Sequence, residues 1–458
     1  MASTTRHTPV RPGAAKPRLA HRRDRAVNSL AGLLLVGGAS MAVFAGPDAQ
    51  AGPDHSDPGP SYPAGASVTT FAGKAFDTCE TPSLKAMDAW QDSPYRGVGI
   101  YLSGRNRLCA AQPNLTPNWV RSTTSVGWHL IPIDVGLQAP CRDNRKKKPM
   151  HAKHAEAEGT AAAAGAVSAA RTLGILPGSA LYADIESYDP TVPNCARTVA
   201  TYLSGWTQEL HRRGYLGGMY GTGRSGVGDA AARYAEVDLT RPDAVWLARW
   251  DRARSLTGWS GVPDAAWSNH QRMKQYRGDH IERYGGVALN VDSSQVDAPV
   301  ATVAHSFPIT AADTAAHRSP DIAAARVGTL ATGATANVIC QVRSLGRPIW
   351  DKLDDGTYLD DTRVAGGSTK DLPECSYASP VASGTGAVIR SGPGPGYDTG
   401  GTLPLGALAR VTCRDLAQSW VRLDHNWVAA ADLAGGGPGS AATPYCPPTS
   451  AAASRPGE

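Results

Sequence analysis

Two acidic side chains, Asp184 and Glu186, lie two residues apart in the strand-like run Ala180–Ser187 and could perform acid catalysis. Side chains alternate across a β-strand, so this pair shares one face with Tyr182, while the three apolar residues between and before them share the other face. Carboxylates that face the inside of a fold are costly to bury unless they are paired or functional. The pair therefore indicates an active site, with a hydrogen-bonded or salt-bridged structural pair as the alternative.

Several carboxylates around one pocket suit glycoside cleavage. One carboxylic acid protonates the leaving oxygen, and another carboxylate stabilises or attacks the sugar cation or activates water. Crowding raises the pKa of such groups and keeps one of them protonated near neutral pH. Glu186 has the longer reach and is predicted to be the acid, with Asp184 orienting the substrate or holding charge. Asp77 and Asp292 are predicted to complete the pocket floor.

The elements that must position these acids are short apolar runs alternating with helical patterns between residues 71 and 301. Eight runs are predicted to be strands: Lys74–Thr78, Val98–Ser103, His129–Val135, Ala180–Glu186, Leu216–Gly221, Ala244–Trp250, Met273–Tyr276 and Val287–Asp292. The predicted helices are Pro82–Gln91 (with Thr81 as N-cap), Thr116–Ser125, Ala155–Leu173 and Ala196–Arg213 (ended by Gly214). This alternation predicts an α/β fold, a (β/α)8 TIM-like barrel. A doubly wound sheet is the alternative, but no glycine-rich phosphate loop follows the first strand.

A barrel places active residues at the carboxyl ends of its strands. Asp77, Asp134, the Asp184 and Glu186 pair, and Asp292 close the predicted strands one, three, four and eight. We predict substrate contacts from side chains near the same ends, because sugar rings stack on aromatic faces and amides bind hydroxyl or acetamido groups. These are Tyr101, Asp134, Tyr182, Tyr220, Trp250, Gln275 and Tyr276. For each aromatic residue, packing in the hydrophobic core is the alternative to contact with substrate.

Composition narrows the class of protein. The net charge is only +5 and no nucleic-acid motif is present, so we expect no nucleic-acid partner. The eight cysteines form no CxxC motif, and we expect disulfides in a secreted monomer that needs neither metal nor cofactor. The loop that holds Lys146–Lys148, His151 and His154 is predicted to be a solvated insertion, with contact to anionic wall polymers as the alternative.

The first residues have the layout of a secretory signal peptide. Arginines near residue 22 precede an apolar run from Leu30 to Ala45, and Ala49-Gln50-Ala51 is a small-x-small cleavage site. We predict a signal peptide over 1–51 and a linker over 52–67, with an uncleaved membrane anchor as the alternative.

The C-terminal region contains a duplication. Gly-Thr-Leu at 328–330 and at 401–403 each precede a cysteine by twelve residues, counted from the glycine, and a Trp-x-x-Leu-Asp motif follows at 350–354 and at 420–424. Two copies of one small β module explain this pattern best. We predict modules over 304–375 and 376–458, following a barrel domain over 68–303. One disulfide is predicted in each module, Cys340–Cys375 and Cys413–Cys446.

Two resemblances add to these predictions. The second module resembles bacterial SH3-like domains through Val388–Pro393, Gly396-Tyr397 and Trp420–Leu423, and the first copy more weakly through Arg318–Pro320. The barrel region resembles the glycoside-hydrolase-like domain of unknown function of secreted actinobacterial proteins. The motifs that carry this resemblance are Phe76–Cys79, Gly99–Gly104, Tyr182–Glu186, Gln275–Gly278 and Asn290–Asp292.

That family is similar in turn to the family 25 lysozymes. The resemblance implies acid catalysis on an N-acetylated wall glycan by Asp184 and Glu186, together with Asp77 and Asp292. Cys79–Cys109 and Cys141–Cys195 are plausible disulfides in such a barrel, although four cysteines allow three connectivities.

We therefore expect a secreted glycoside hydrolase that acts on a cell-wall polysaccharide such as peptidoglycan, and association with the cell wall is a further expectation. The alternative is a catalytically inactive protein that binds wall polysaccharide. A purely structural envelope protein would explain the duplication but not the acids at the strand ends.

Overall fold

The structure is a computed structural model that describes residues 67–142, 146–343, 348–367, 372–437 and 443–446. The predicted signal peptide, residues 52–66 of the predicted linker and the last twelve residues of the predicted tail lie outside these ranges. Within the described ranges, no helix is both long enough and apolar enough to cross a membrane.

Eight strands close into a barrel, as predicted. They are β1 (Thr70–Asp77), β2 (Tyr95–Ser103), β3 (His129–Asp134), β4 (Ala180–Asp184), β5 (Leu216–Thr222), β6 (Ala244–Ala248), β7 (Arg272–Tyr284) and β8 (Val287–Pro299). Each strand pairs with its neighbour in sequence, and β8 pairs with β1 to close the ring. The seven strands from β1 to β7 run parallel.

The last strand departs from the predicted all-parallel barrel, because β8 runs antiparallel to both β7 and β1. Only Gly285 and Gly286 separate β7 from β8, and both have positive φ values, 50° and 81°. Two residues can join antiparallel strands, whereas a parallel return needs a crossover of a dozen residues or more. Asp292 therefore lies in the middle of β8, and its predicted position at the end of a strand is wrong.

Five helices pack outside the barrel: α1 (Leu84–Ala89), α2 (Pro117–Thr124), α3 (Ala155–Thr172), α4 (Cys195–Arg212) and α5 (Gly226–Ala232). The predicted N-cap of α1 is wrong: Ser83 caps it by accepting a hydrogen bond from the Ala86 amide, and Thr81 instead bonds Gln112. Gly214 does end α4, with a φ of 82° that suits glycine. Turns replace a helix between β6 and β7, so the full (β/α)8 alternation is not reached.

The hydrophobic core has two layers, which confirm the predicted alternation along β4. Leu181, Ala183 and Ile185 belong to the outer layer, between the strands and the helices. Tyr182 belongs to the inner layer, inside the barrel. Asp184 follows the parity of Tyr182 and therefore faces the barrel interior.

Small all-β sheets follow the barrel, as predicted. A six-stranded sheet contains His305–Pro308, Thr314–His317, Arg326–Leu330, Thr335–Val342, Trp350–Leu353 and Tyr358–Asp360. A five-stranded sheet contains Ala387–Arg390, Thr399–Leu403, Cys413–Arg414, Trp420–Leu423 and Asn426–Ala429. Two-stranded sheets pair Tyr377–Pro380 with Leu408–Val411, and Ile175–Leu176 with Thr302–Val303. The module boundaries at 304 and 376 and the SH3-like assignment stay predictions.

All four predicted disulfides are present. They join Cys79 to Cys109, Cys141 to Cys195, Cys340 to Cys375 and Cys413 to Cys446. Each closes a loop of 30 to 54 residues and so restricts the unfolded chain. Such bonds persist in oxidising compartments, which agrees with an extracellular protein.

His270 joins the barrel to the C-terminal β region. Its Nδ1 lies 2.5 Å from Asp297 Oδ1, and its Nε2 contacts Asp424, which also pairs with Arg410. Hydrogen bonds to Asp297 and Asp424 raise the pKa of His270 to about 9, so the imidazole is a cation between two carboxylates at neutral pH.

We expect His270→Gln to lower the free energy of unfolding by about 1–2 kcal/mol at pH 6, discounted for partial exposure. A histidine whose pKa rises on folding stabilises the folded protein in full at pH values below its pKa in the unfolded chain, which is near 6.5. This stabilisation is lost as the pH rises through the folded-state pKa of about 9. Denaturant unfolding at pH 6 and pH 10 measures the effect. An equal loss at both pH values would contradict the ionic origin.

Candidate active site

A cleft of about 340 Å³ opens at the carboxyl ends of the parallel strands. Five carboxylates line it: Asp77, Asp184, Glu186, Asp279 and Asp292. The other side chains in its wall include Tyr101, Arg107, Leu108, Lys147, Trp250 and Asn290, with the Cys79–Cys109 disulfide beside them. The structure thus brings the four predicted catalytic residues together in one cleft.

Three strands bring these acids to the same place. Asp77 is the last residue of β1 and Asp184 the last of β4, and Glu186 follows two residues beyond. Asp292 arrives from the opposite direction, because the antiparallel register of β1 and β8 sets it directly across from Asp77. The antiparallel strand β8 thus places a carboxylate in the cleft from its middle, where a parallel strand would place one from its carboxyl end.

Gln275 on β7 holds Asp77 and Asp292 in place. Its amide Nε2 donates to Asp77 Oδ2 at 3.0 Å and to Asp292 Oδ2 at 3.2 Å. Its Oε1 accepts from the Tyr220 hydroxyl at 3.0 Å and from Trp250 Nε1 at 2.9 Å. An amide offers two donor hydrogens and two acceptor lone pairs, so all four are used here. Gln275 is 2% exposed and therefore positions other residues, contrary to its predicted contact with substrate.

Burial and the charge of neighbouring carboxylates raise the pKa values of three acids in the cleft, Asp77, Asp184 and Asp292. Burial, followed by the charge of Asp292, raises the pKa of Asp77 to about 7, although hydrogen bonds from Tyr101 and Gln275 oppose the shift. Burial also raises the pKa of Asp292. For Asp184, burial and then the neighbouring Glu186 hold the pKa well above its usual value, against the attraction of Lys147. The cleft therefore retains protons at a pH where isolated carboxyl groups have lost them.

The Asp184 and Glu186 pair is fixed by a fully buried side chain, Gln138. Its Nε2 donates to the Asp184 carbonyl at 2.7 Å, and its Oε1 accepts from the Glu186 amide at 2.8 Å. These two bonds define the backbone on both sides of Ile185, and hence the directions of the two carboxylates. Asp184 is 8% exposed and Glu186 is exposed, so Glu186 is the member that a substrate can reach.

We expect Gln138→Met to lower kcat by about 10- to 100-fold and leave KM nearly unchanged, because small misplacement of catalytic groups is costly while the cleft wall remains. The replacement also leaves the Glu186 amide without its buried partner. Steady-state kinetics on wall glycan and the pH profile of kcat measure the effect. Gln91→Met is the matched control, because the Gln91 side chain makes an exposed bond to Val126 far from the cleft. A loss confined to KM would contradict the positioning role.

Among the predicted aromatic contacts, Tyr101 and Trp250 line the cleft. The Tyr101 hydroxyl donates to Asp77 Oδ1 at 2.8 Å. The Trp250 side chain is 60% exposed, yet its indole nitrogen is anchored on Gln275 and its ring lies over Gly278. A Cβ at Gly278 would lie 2.1 Å from the ring, so glycine is required there. Trp250 therefore offers an anchored, open ring face of the kind on which sugars stack.

The other predicted contacts lie away from the cleft surface. Tyr182 is fully buried and donates to the Pro299 carbonyl inside the barrel, and Tyr276 is 9% exposed and does not line the cleft. The Tyr220 hydroxyl donates to Gln275 Oε1 and so contacts a positioning residue. Tyr182 and Tyr220 point into the barrel interior below the cleft, whereas Tyr276 follows inward-facing Gln275 and therefore has the opposite parity. These placements do not fit the predicted substrate contacts.

Asp134 also lies behind the cleft wall. Its Oδ1 accepts from the Ser103 hydroxyl at 2.6 Å, and burial raises its pKa to about 6. Gly136 next to it leaves no room for a side chain, since a Cβ would lie 2.7 Å from Asp134 Oδ2. Asp134 is 3% exposed and does not line the cleft, which does not fit its predicted contact with substrate.

Four residues of the site were not predicted: Arg107, Gln138, Lys147 and Asp279. Gln138 carried a signal, since it is a lone polar residue soon after an apolar strand. Lys147 belongs to the run predicted to be solvated, but its side chain reaches the cleft. Across the described part of the chain, no three His, Cys, Asp or Glu side chains are grouped to hold a metal ion.

Comparison with known proteins defines the class of this domain. Residues 88–296 match the model of the family described as Rv2525c-like, glycoside hydrolase-like domain. Residues 88–296 are therefore similar to a glycoside hydrolase-like domain, and the match includes Asp184, Glu186 and Asp292 but begins after Asp77. A search of curated proteins gives no match.

Solved structures that resemble the chain share little sequence with it. The Mycobacterium tuberculosis Tat-secreted protein Rv2525c in complex with L-tartrate is 14% identical, covering 49% of this chain and 96% of that one, with a TM-score of 0.35. An uncharacterized B. stearothermophilus protein is 19% identical, covering 49% and 95%, with a TM-score of 0.34. The Clostridium perfringens spore cortex lytic enzyme SleM is 13% identical, covering 64% and 94%, with a TM-score of 0.34.

Proposed function

We propose that this protein is a secreted glycoside hydrolase that cleaves a cell-wall glycan such as peptidoglycan by carboxylate general acid catalysis. The observation that carries the proposal is the pairing of buried Asp184 with exposed Glu186 in one cleft, where burial and the charge of Glu186 hold the pKa of Asp184 well above its usual value. Glycoside cleavage needs such a pair, one group to protonate the leaving oxygen and another to stabilise or replace the sugar cation.

Each member of the pair has a role that follows from its position. Burial and then the charge of Glu186 hold the pKa of Asp184 well above its usual value. Glu186 is open to the cleft and is the acid that protonates the glycosidic oxygen. Asp184 lies behind it and orients the substrate or balances charge as the bond breaks.

Asp77 and Asp292 form the opposite part of the cleft floor. Gln275 donates to both and Tyr101 donates to Asp77, so the positions of the two carboxyl groups are set before substrate arrives. Trp250 provides the ring face on which a sugar stacks, which orients the glycan over Glu186. The C-terminal β region would hold the enzyme on the wall.

The direct test is release of reducing ends from purified wall glycan by the mature chain, with Glu186→Gln as the paired control. Release that disappears in the variant supports the hydrolase. Binding to the wall without release from either protein would instead favour an inactive polysaccharide-binding protein.

A further inference from the structure

Two cationic side chains lie in the wall of the acidic cleft and have no role in the chemistry proposed above. Arg107 comes from the loop after β2, and Lys147 comes from the segment after β3. Neither makes an ion pair with any residue in the described part of the chain, although five carboxylates line the same cleft.

Both head groups are held in place by backbone carbonyls. Arg107 Nε donates to the Gly104 carbonyl at 3.1 Å, and Nη1 donates to the Tyr101 carbonyl at 3.0 Å. Lys147 Nζ donates to the Asn106 carbonyl at 2.5 Å. A guanidinium has five N–H donors and an ammonium three, so each cation keeps donors available for a ligand.

Asn106 fastens the two cationic segments to each other. It is 7% exposed, and its side-chain nitrogen donates to the Gly136 carbonyl at 2.7 Å and to the Lys148 carbonyl at 3.0 Å. Its side-chain oxygen accepts from the Lys148 amide at 2.8 Å. The backbones that carry Arg107 and Lys147 are thus fixed relative to one another before any ligand binds, which lowers the entropic cost of binding.

Each of the two cations acts electrostatically on one buried acid. Arg107 acts on Asp134 and Lys147 acts on Asp184, lowering the pKa of each. Burial outweighs that attraction, and the pKa of both carboxyl groups stays above the usual value. Neither cation forms an ion pair in the described part of the chain, so their remaining N–H donors are available to a ligand.

We infer that Arg107 and Lys147 form a subsite for the carboxylate of an acidic sugar, so that the cleft selects a glycan in which a sugar next to the scissile bond carries a free carboxylate. Arginine and lysine in a partly desolvated cleft are the groups that bind carboxylates most strongly. This inference rests on the proposed function, because it assigns a substrate class to the same cleft. The carboxylate belongs either to a lactyl ether on an amino sugar or to a uronic acid.

The test compares binding of three probes by calorimetry, using the mature chain with Glu186→Gln so that no probe is cut. The first is a peptide-free oligosaccharide of alternating N-acetylglucosamine and N-acetylmuramic acid. The second is the same compound with its carboxylates converted to methylamides. The third is a hyaluronan tetrasaccharide, whose carboxylates are those of a uronic acid.

We expect at least one of the two carboxylate probes to bind about 10- to 100-fold more tightly than the methylamide probe at low salt. The carboxylate probe that binds more tightly identifies whether the carboxylate belongs to a lactyl ether or to a uronic acid. Adding Arg107→Gln and Lys147→Gln together should abolish this preference and leave binding of the amide unchanged. The matched control is Arg105→Gln with Lys153→Gln, two exposed neighbours outside the cleft that should keep the preference.

Equal affinity for the carboxylate and amide forms, or no binding of any probe, would overturn the subsite. A preference that survives the loss of both cations would also overturn it. Reducing-end release from the amide form by the unaltered chain tests hydrolysis separately. If the chain cleaves glycan but binds the carboxylate and amide forms equally, the carboxylate subsite is wrong and the hydrolase proposal stands. If binding depends on the carboxylate but neither wall glycan nor any probe is cleaved, the hydrolase proposal is wrong and the subsite stands.

Discussion

Replacing Glu186 by Gln is expected to lower the rate of reducing-end release from wall glycan by about 10²- to 10⁴-fold, the usual contribution of a positioned general acid. Glutamine keeps the size of the side chain and its exposed position but carries no transferable proton. Since Gln138 fixes the backbone amide of residue 186, the variant side chain should occupy the same place. The loss should therefore appear in kcat, with little change in the affinity for glycan.

The control for this variant is Glu156→Gln, which makes the same chemical change at an exposed position in the first turn of α3. It should retain full activity. The measurement is the initial rate of reducing-end release at several pH values, with glycan binding measured in parallel. If Glu186→Gln cleaves as fast as the unaltered chain, Glu186 is not the acid.

The pattern along β4 shows what sequence can predict. Strict alternation of apolar and polar residues from 181 to 186 fixes which side chains face the helices and which face the barrel interior, and the structure confirms both sets. The alternation does not predict which of the inward-facing residues reaches the cleft, because that depends on position along the strand. Tyr182 and Asp184 have the same parity, but only Asp184 is near enough to the carboxyl end to reach the cleft.

The antiparallel eighth strand could have been predicted. The predicted strands Met273–Tyr276 and Val287–Asp292 leave only residues 277–286 between them, fewer than the dozen or more that a parallel crossover needs, so this spacing favours a hairpin. Gln138 and Lys147 are different, because their contacts join segments that are remote in sequence, such as Gln138 with residues 184 and 186. Such pairings depend on how the loops fold over the barrel, and a local pattern does not contain that information.

Replacing Asp184 by Asn is expected to make the protein more stable at pH 8 by roughly 1–3 kcal/mol, while it lowers hydrolysis. Asp184 is 8% exposed, and its Oδ1 has no hydrogen-bond partner in the described residues. Ionising it in the folded protein leaves a buried charge without sufficient compensation, which is the reason that its pKa lies well above the usual value. Asparagine has a similar shape and never carries that charge.

The sign of the pH dependence follows from proton uptake. An unfolded aspartate loses its proton near pH 3.9, whereas folded Asp184 keeps its proton to a higher pH. Between these two values the folded state binds more protons, so the stability of the unaltered chain falls as the pH rises. The gain in stability from Asp184→Asn should therefore grow as the pH rises between the unfolded and folded pKa values and be largest above both. It should disappear near pH 4, where the aspartate is neutral in the folded state.

Asp243→Asn provides the matched contrast, because Asp243 is 7% exposed and thus equally buried, but its Oδ2 is fully engaged. That oxygen accepts from the Gly217 amide at 2.7 Å and lies 2.7 Å from His211 Nε2. Removing its charge weakens both contacts, so this variant should be less stable than the unaltered chain at pH 8. Denaturant unfolding of both variants at pH 4 and pH 8 makes the comparison. If Asp184→Asn loses stability at pH 8 as Asp243→Asn does, then Asp184 is a satisfied structural carboxylate, and the strain that we assign to the catalytic pair is absent.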